Sequence, residues 1–179
     1  MRKWYALSAI GHDRPGIVAD LAEFIYECEC NLEDSSMSRL GSEFAVLLLL
    51  SSTVQDAERR LTAGAKRLEW ERRLTVFLRP LESEPMRGKP YGVGTYEVQA
   101  SGLDKAGIVA RVARCLAEQE ANILEMFTHV LPAAESGTPI YRMSIAIDVP
   151  NRVAESVLRQ RLEEVANALH IEIILRRKA

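Results

Sequence analysis

Cysteine is scarce in this chain: Cys28, Cys30 and Cys115 are the only three among 179 residues. An odd number, with no signal-like segment at the start, argues against a disulfide framework and for a reducing cytoplasm. The Cys28-x-Cys30 pair has no second Cys/His pair at a spacing that would complete four zinc ligands, so no metal site is expected. Histidine is equally sparse. His12, His129 and His170 have no Ser, Cys or carboxylate arranged with them as a nucleophile would need, and no catalytic residue is expected. Long apolar runs are missing, which excludes a membrane-spanning helix. Charge of one sign is missing too: the formal net charge is −2, which gives no reason to expect direct contact with nucleic acid or an anionic membrane. Two short basic clusters, Arg72-Arg73 and Arg176-Arg177-Lys178, read as a helix end and a charged tail. Neither a phosphate loop nor a dinucleotide fingerprint occurs, since Gly92-x-Gly94 lacks the third glycine and the helix, so no cofactor is expected.

What the chain does contain is a repeat. Gly11-His12-Asp13-Arg14-Pro15-Gly16-Ile17-Val18-Ala19 recurs 91 residues later as Gly102-Leu103-Asp104-Lys105-Ala106-Gly107-Ile108-Val109-Ala110, and six of the nine positions are identical. Extended without a gap from 11–32 to 102–123, the match gives ten identities in 22 positions and places Asn122 opposite Asn31. A period of domain size means one duplicated module, not a solenoid. The expected organisation is a first domain over 1–80, a Pro- and Gly-rich linker over 81–93 and a second domain over 94–179.

Each copy reads β-α-β-β-α-β. In the first, a strand over 3–10 runs into Gly11. Asp13 is expected as the N-cap of a helix with Pro15 in its first turn, and Ile17, Leu21, Phe24, Ile25 and Cys28 form its buried face. Strands from Asn31 to Gly41 and over 44–50 follow, then a helix over 55–69 with Gly64 as a weak point, and a strand over 74–78. The second copy repeats this with a strand over 94–101, a helix over 104–119, strands from Asn122 and over 140–149, a helix over 151–169 and a strand over 170–175. The order is the α+β, ferredoxin-like split βαβ arrangement: a four-stranded antiparallel sheet with two helices on one face. Strand 44–50 is apolar on both faces, so its second face is expected to be covered by the other copy or another subunit.

The repeated motif suits a zwitterion. A turn at a helix N-terminus gathers N–H groups that favour a carboxylate, while Asp13 and Asp104 suit an ammonium. Asn31 and Asn122 fall one helix length away, so turn and asparagine reach one ligand only where two modules meet with antiparallel first helices. From the residues alone a plainer reading stays open. The aspartates then cap helices, the asparagines close helix ends, and Gly11, Gly16, Gly102 and Gly107 serve turn geometry and close packing.

Asp13-Arg14-Pro15-Gly16-Ile17-Val18 followed by Cys30-Asn31-Leu32-Glu33-Asp34-Ser35 resembles the ACT domain, a βαββαβ module that senses small molecules. The tandem arrangement, together with Leu40-Gly41-Ser42-Glu43-Phe44, is similar to the glycine cleavage system transcriptional repressor family. That resemblance implies regulation without catalysis, with a small amino acid, glycine or serine, bound between ACT modules. It also implies a protein partner such as a DNA-binding activator, held by the regulator without contact to DNA. The ligand-binding positions it implies are Gly11, His12, Asp13, Arg14, Gly16 and Asn31, and in the second copy Gly102, Asp104, Gly107 and Asn122. Ala106 in place of proline and Leu103 in place of a polar residue depart from the motif. Other functions open at this point are a constitutive interaction module without ligand, a detached regulatory subunit of an amino-acid or folate enzyme, and a homodimer through which modules pair.

Overall fold

The computed structural model describes residues 1–85, 93–103, 106–132 and 138–178. The chain separates into two units, Met1–Arg87 and Gly88–Ala179. Most of the linker expected over 81–93 lies outside the described residues, since 86–92 are not among them.

The first unit runs β1 (Lys3–His12), α1 (Ile17–Glu27), β2 (Asn31–Leu40), β3 (Glu43–Ser52), α2 (Ala57–Arg72) and β4 (Thr75–Leu81). Its strands pair antiparallel in the order β2-β3-β1-β4. The second unit runs β5 (Val93–Leu103), α3 (Ile108–Glu118), β6 (Asn122–Pro132), β7 (Pro139–Pro150), α4 (Glu155–Leu169) and β8 (Glu172–Arg177), with the equivalent order β6-β7-β5-β8. Both are four-stranded antiparallel sheets with helices, the ferredoxin-like α+β arrangement that the sequence predicts.

Period-two alternation builds each core. Tyr5, Leu7 and Ala9 of β1 and Phe44, Val46, Leu48 and Leu50 of β3 are buried with Ile17, Leu21, Phe24 and Ile25 of α1 and Leu61 and Leu68 of α2. The second core repeats the pattern with Val98, Ala100, Ile145 and Ile147 under Ile108, Val112, Leu116, Leu158 and Leu162. Within the first unit, no described element covers the apolar second face of β3. Leu47 is 57% exposed, and Phe77, in the same cross-strand row beyond Ser8, is 65% exposed.

Three local expectations are corrected. Helix α1 begins at Ile17, so Asp13 is not its N-cap; Gly16 is, at φ 88° and ψ −6°. These angles, with Pro15 before the glycine and the Ile17 N–H on the Arg14 carbonyl at 3.4 Å, are those of a type II turn. Pro15 therefore sits in the turn and not in the helix. Gly64 is not a weak point: a Cβ there would lie 2.3 Å from Phe24 Cε2, so its bareness lets α2 close over α1. Helix α4 starts at Glu155, after a turn in which the Val153 N–H meets the Pro150 carbonyl at 2.9 Å.

Among the described residues no helix is long and apolar enough to cross a membrane.

Candidate functional site

The two first helices open on the same left-handed glycine. Gly107 opens α3 at φ 93° and ψ 0°, matching Gly16 at the start of α1. Ala106 stands where Pro15 does, and alanine is tolerated at that turn position. Asp104 lies outside the described residues, as does Lys105.

Gly11 and Gly102 answer to packing. A Cβ on Gly11 would meet Leu74 Cδ2 at 2.6 Å, and one on Gly102 would meet Ile171 Cγ2 at 2.5 Å. In each unit the end of the first strand passes so close to the residue preceding the last strand that no side chain fits between.

Around Asp13 the structure brings in a neighbour that the sequence did not single out. The Asp13 N–H donates to the Ser42 carbonyl at 2.8 Å, which ties the β1–α1 turn to the Gly41-Ser42 turn between β2 and β3. Arg39 Nη1 lies 3.4 Å from Asp13 Oδ2, a long contact between partly exposed groups. His12 Nδ1 lies 3.7 Å from Glu43 Oε1. Arg39, Ser42 and Glu43 reach this place through the β2–β3 hairpin register, which sequence spacing does not reveal. Arg14 is turned toward the helices: its guanidinium pairs with Asp20, whose other oxygen lies 3.4 Å from Arg72. No acceptor among the described residues meets the amides of Val18 and Ala19, whereas the Asp20 N–H reaches the Gly16 carbonyl at 2.9 Å. These two unmet donors at the start of α1 are an anion-favouring feature.

At the far end, Asn31 and Asn122 do not close the helices. That task falls to Glu29 and Glu120, both at φ 54°. The Cys30 and Ala121 N–H groups then bond to the Ile25 and Leu116 carbonyls at 3.2 and 3.0 Å, the 6→1 bond of a Schellman motif. Asn31 and Asn122 are the first, exposed residues of the edge strands β2 and β6, and neither side chain hydrogen-bonds to a described residue.

Within one unit the turn and the asparagine are far apart. Gly11 pairs with Phe44 and Asn31 with Ser51, so seven residues of β3 separate them, about 23 Å at strand rise. Gly102 pairs with Tyr141 and Asn122 with Asp148, the same separation along β7. Each unit thus presents the turn at one end of its sheet and the asparagine at the other.

The remaining reactive groups are quiet. Cys28, Cys30 and Cys115 are buried and free, and burial pushes all three thiols up, Cys28 to about 11. They stay protonated and unreactive at neutral pH. No group of three or more His, Cys, Asp or Glu side chains among the described residues could hold a metal ion. Burial also raises the Tyr5 phenol, whose buried hydroxyl has no hydrogen-bond partner among the described residues.

Residues 6–78 match the family model described as the ACT domain. Over 172 residues, covering 94% of this chain and 87% of the relative, the sequence is 24% identical to the glycine cleavage system transcriptional repressor of Escherichia coli K12. A crystal structure of a Galdieria sulphuraria protein superposes over the full length of both chains with TM-score 0.83 and 27% identity. A second, that of a provisionally assigned glycine cleavage system transcriptional repressor, has TM-score 0.75 and 19% identity over 99% of this chain and 98% of its own, and shares the fold.

Proposed function

We propose that this chain, two ferredoxin-like ACT domains in tandem, is a non-catalytic regulator that binds a small amino acid where ACT modules meet and thereby changes its affinity for a protein partner. The observation that carries the reading is the double construction. Two copies share a left-handed glycine at the helix start, a Schellman end, and an exposed asparagine whose side chain hydrogen-bonds to no described residue. In each, that asparagine is about 23 Å from its own turn. A ligand's carboxylate would take the unmet amides of Val18 and Ala19 and its ammonium Asp13, with an asparagine from another module completing the contact. Glycine and serine are the ligands that the family likeness suggests. The similarity to a transcriptional repressor over most of both chains suggests a DNA-binding activator as partner, met in the cytoplasm. A ligand that binds two partner-binding states with affinities differing by about 1–3 kcal/mol would suffice for regulation.

The test is calorimetric titration of the full chain with glycine and serine, repeated on Asp13→Ala. Saturable binding that weakens at least tenfold in the variant supports the reading. A well-folded protein that binds neither contradicts it. The Arg39–Asp13 contact favours a second reading, in which Asp13 only fastens the β2–β3 turn. Asp13→Ala then loses up to about 1 kcal/mol of stability, and partner binding is indifferent to amino acids.

A further inference from the structure

The second unit differs from the first on the sheet face turned away from its core. Cross-strand pairing sets two rows of side chains side by side on that face. One is His129 (β6), Arg142 (β7), Ser101 (β5) and Glu172 (β8); the other is Phe127, Ser144, Gln99 and Ile174. All of these but Glu172 line a groove of about 440 Å³, within the size range of small-molecule sites. The same pairing in the first unit gives Ser38, Ala45, Ile10 and Thr75, and Ser36, Leu47, Ser8 and Phe77. Duplication thus put a guanidinium where the first unit has Ala45 and an imidazole where it has Ser38. The groove on the first unit's face is smaller, about 210 Å³, and no cation lines it.

The Arg142 side chain makes no hydrogen bond or ion pair with a described residue. Two acids on this face bond to hydroxyls of the groove, and a third, Glu125 of β6, lies in the row of Ala146 and Glu97. Glu172, two strands from Arg142 and so about 10 Å away along the row, accepts from the Ser101 hydroxyl at 3.4 Å. Glu97 accepts from the Ser144 hydroxyl at 3.0 Å. The groove therefore has a guanidinium and an imidazole at its β6–β7 end, a hydroxyl-lined middle, and apolar flanks in Phe127, which is 56% exposed, and Ile174. A planar, two-pronged guanidinium beside an imidazole matches a carboxylate, and the aromatic and aliphatic flanks match an apolar body.

We propose that this groove is a binding site for a small organic carboxylate with an apolar body, distinct from the turns at the helix starts and independent of the function proposed for them. Benzoate is the probe: it carries the carboxylate and the ring but no ammonium, so a zwitterion site at the turns has no claim on it. Benzamide is its neutral counterpart. Amide chemical shifts of the full chain are followed as each probe is added, up to roughly tens of millimolar, the range that the few heavy atoms of benzoate imply. The expected result is saturable movement of the Phe127, His129, Arg142 and Ser144 amides with benzoate, at least tenfold weaker with benzamide. Arg142→Gln, at an exposed position that leaves the core untouched, should weaken benzoate at least tenfold, and His129→Gln by less. The proposal is overturned if benzoate does not saturate, if benzamide binds equally well, if Arg142→Gln has no effect, or if the shifts centre on the Gly16 or Gly107 turns instead.

Discussion

Gly102 and Gly107 stand five positions apart in the second unit and answer to different physics. Gly107 has φ 93° and no described atom within 4 Å of where a Cβ would be, so its constraint is the backbone. Gly107→Ala is expected to cost about 1–2 kcal/mol through the left-handed conformation alone. Gly102 is constrained by Ile171, whose Cγ2 would lie 2.5 Å from a new Cβ. Gly102→Ala should cost about 1–3 kcal/mol by overpacking, and it should cost less in an Ile171→Ala background, where Cγ2 is gone, whereas the cost of Gly107→Ala should be the same in both backgrounds. Urea unfolding of the three single and two double variants measures this. A sequence shows that both glycines recur, but not which neighbour each one meets, because Ile171 comes 69 residues later. The same holds for Asp13. Its recurrence as Asp104 was plain, while Arg39 was invisible until the register of β2 on β3 placed it there.

At the scale of elements, periodicity was informative and the ends were not. The buried faces of α1 and α3 follow from apolar spacing, and Ile17, Leu21, Phe24 and Ile25 are buried as that spacing predicts. The helix start was misplaced because an aspartate four residues ahead looks like a cap, whereas Pro15-Gly16 makes a type II turn first. Two substitutions test the element-level account in opposite directions. In an open helix Gly→Ala gains about 1 kcal/mol. Gly64→Ala is instead expected to lose about 1–3 kcal/mol, because its Cβ would strike the buried Phe24 ring. Ala154, the N-cap of α4, has extended backbone angles and no side-chain oxygen to offer. Ala154→Asp should therefore gain about 1 kcal/mol. Thermal unfolding followed by circular dichroism reads both, and a stabilised Gly64→Ala would show that α1 and α2 are not packed through Phe24.

At the scale of the whole molecule, two units repeat one topology and diverge in what they expose. The first leaves Leu47 and Phe77 open on its sheet, and the second sets Arg142 and His129 on the equivalent face. The duplication was legible from the nine-residue motif. How the modules come together was not, because contacts between modules leave no spacing pattern in a sequence. The proposed function requires that meeting, with an amino acid touched by a helix-start turn of one module and an asparagine of another. Its most direct test is to add serine to isotope-labelled full-length protein and follow the amides of Gly16 and Val18 together with the side-chain amides of Asn31 and Asn122. The account predicts that turn and asparagine signals move along one saturation curve. Shifts confined to the turns, or no shift at either end, would contradict it.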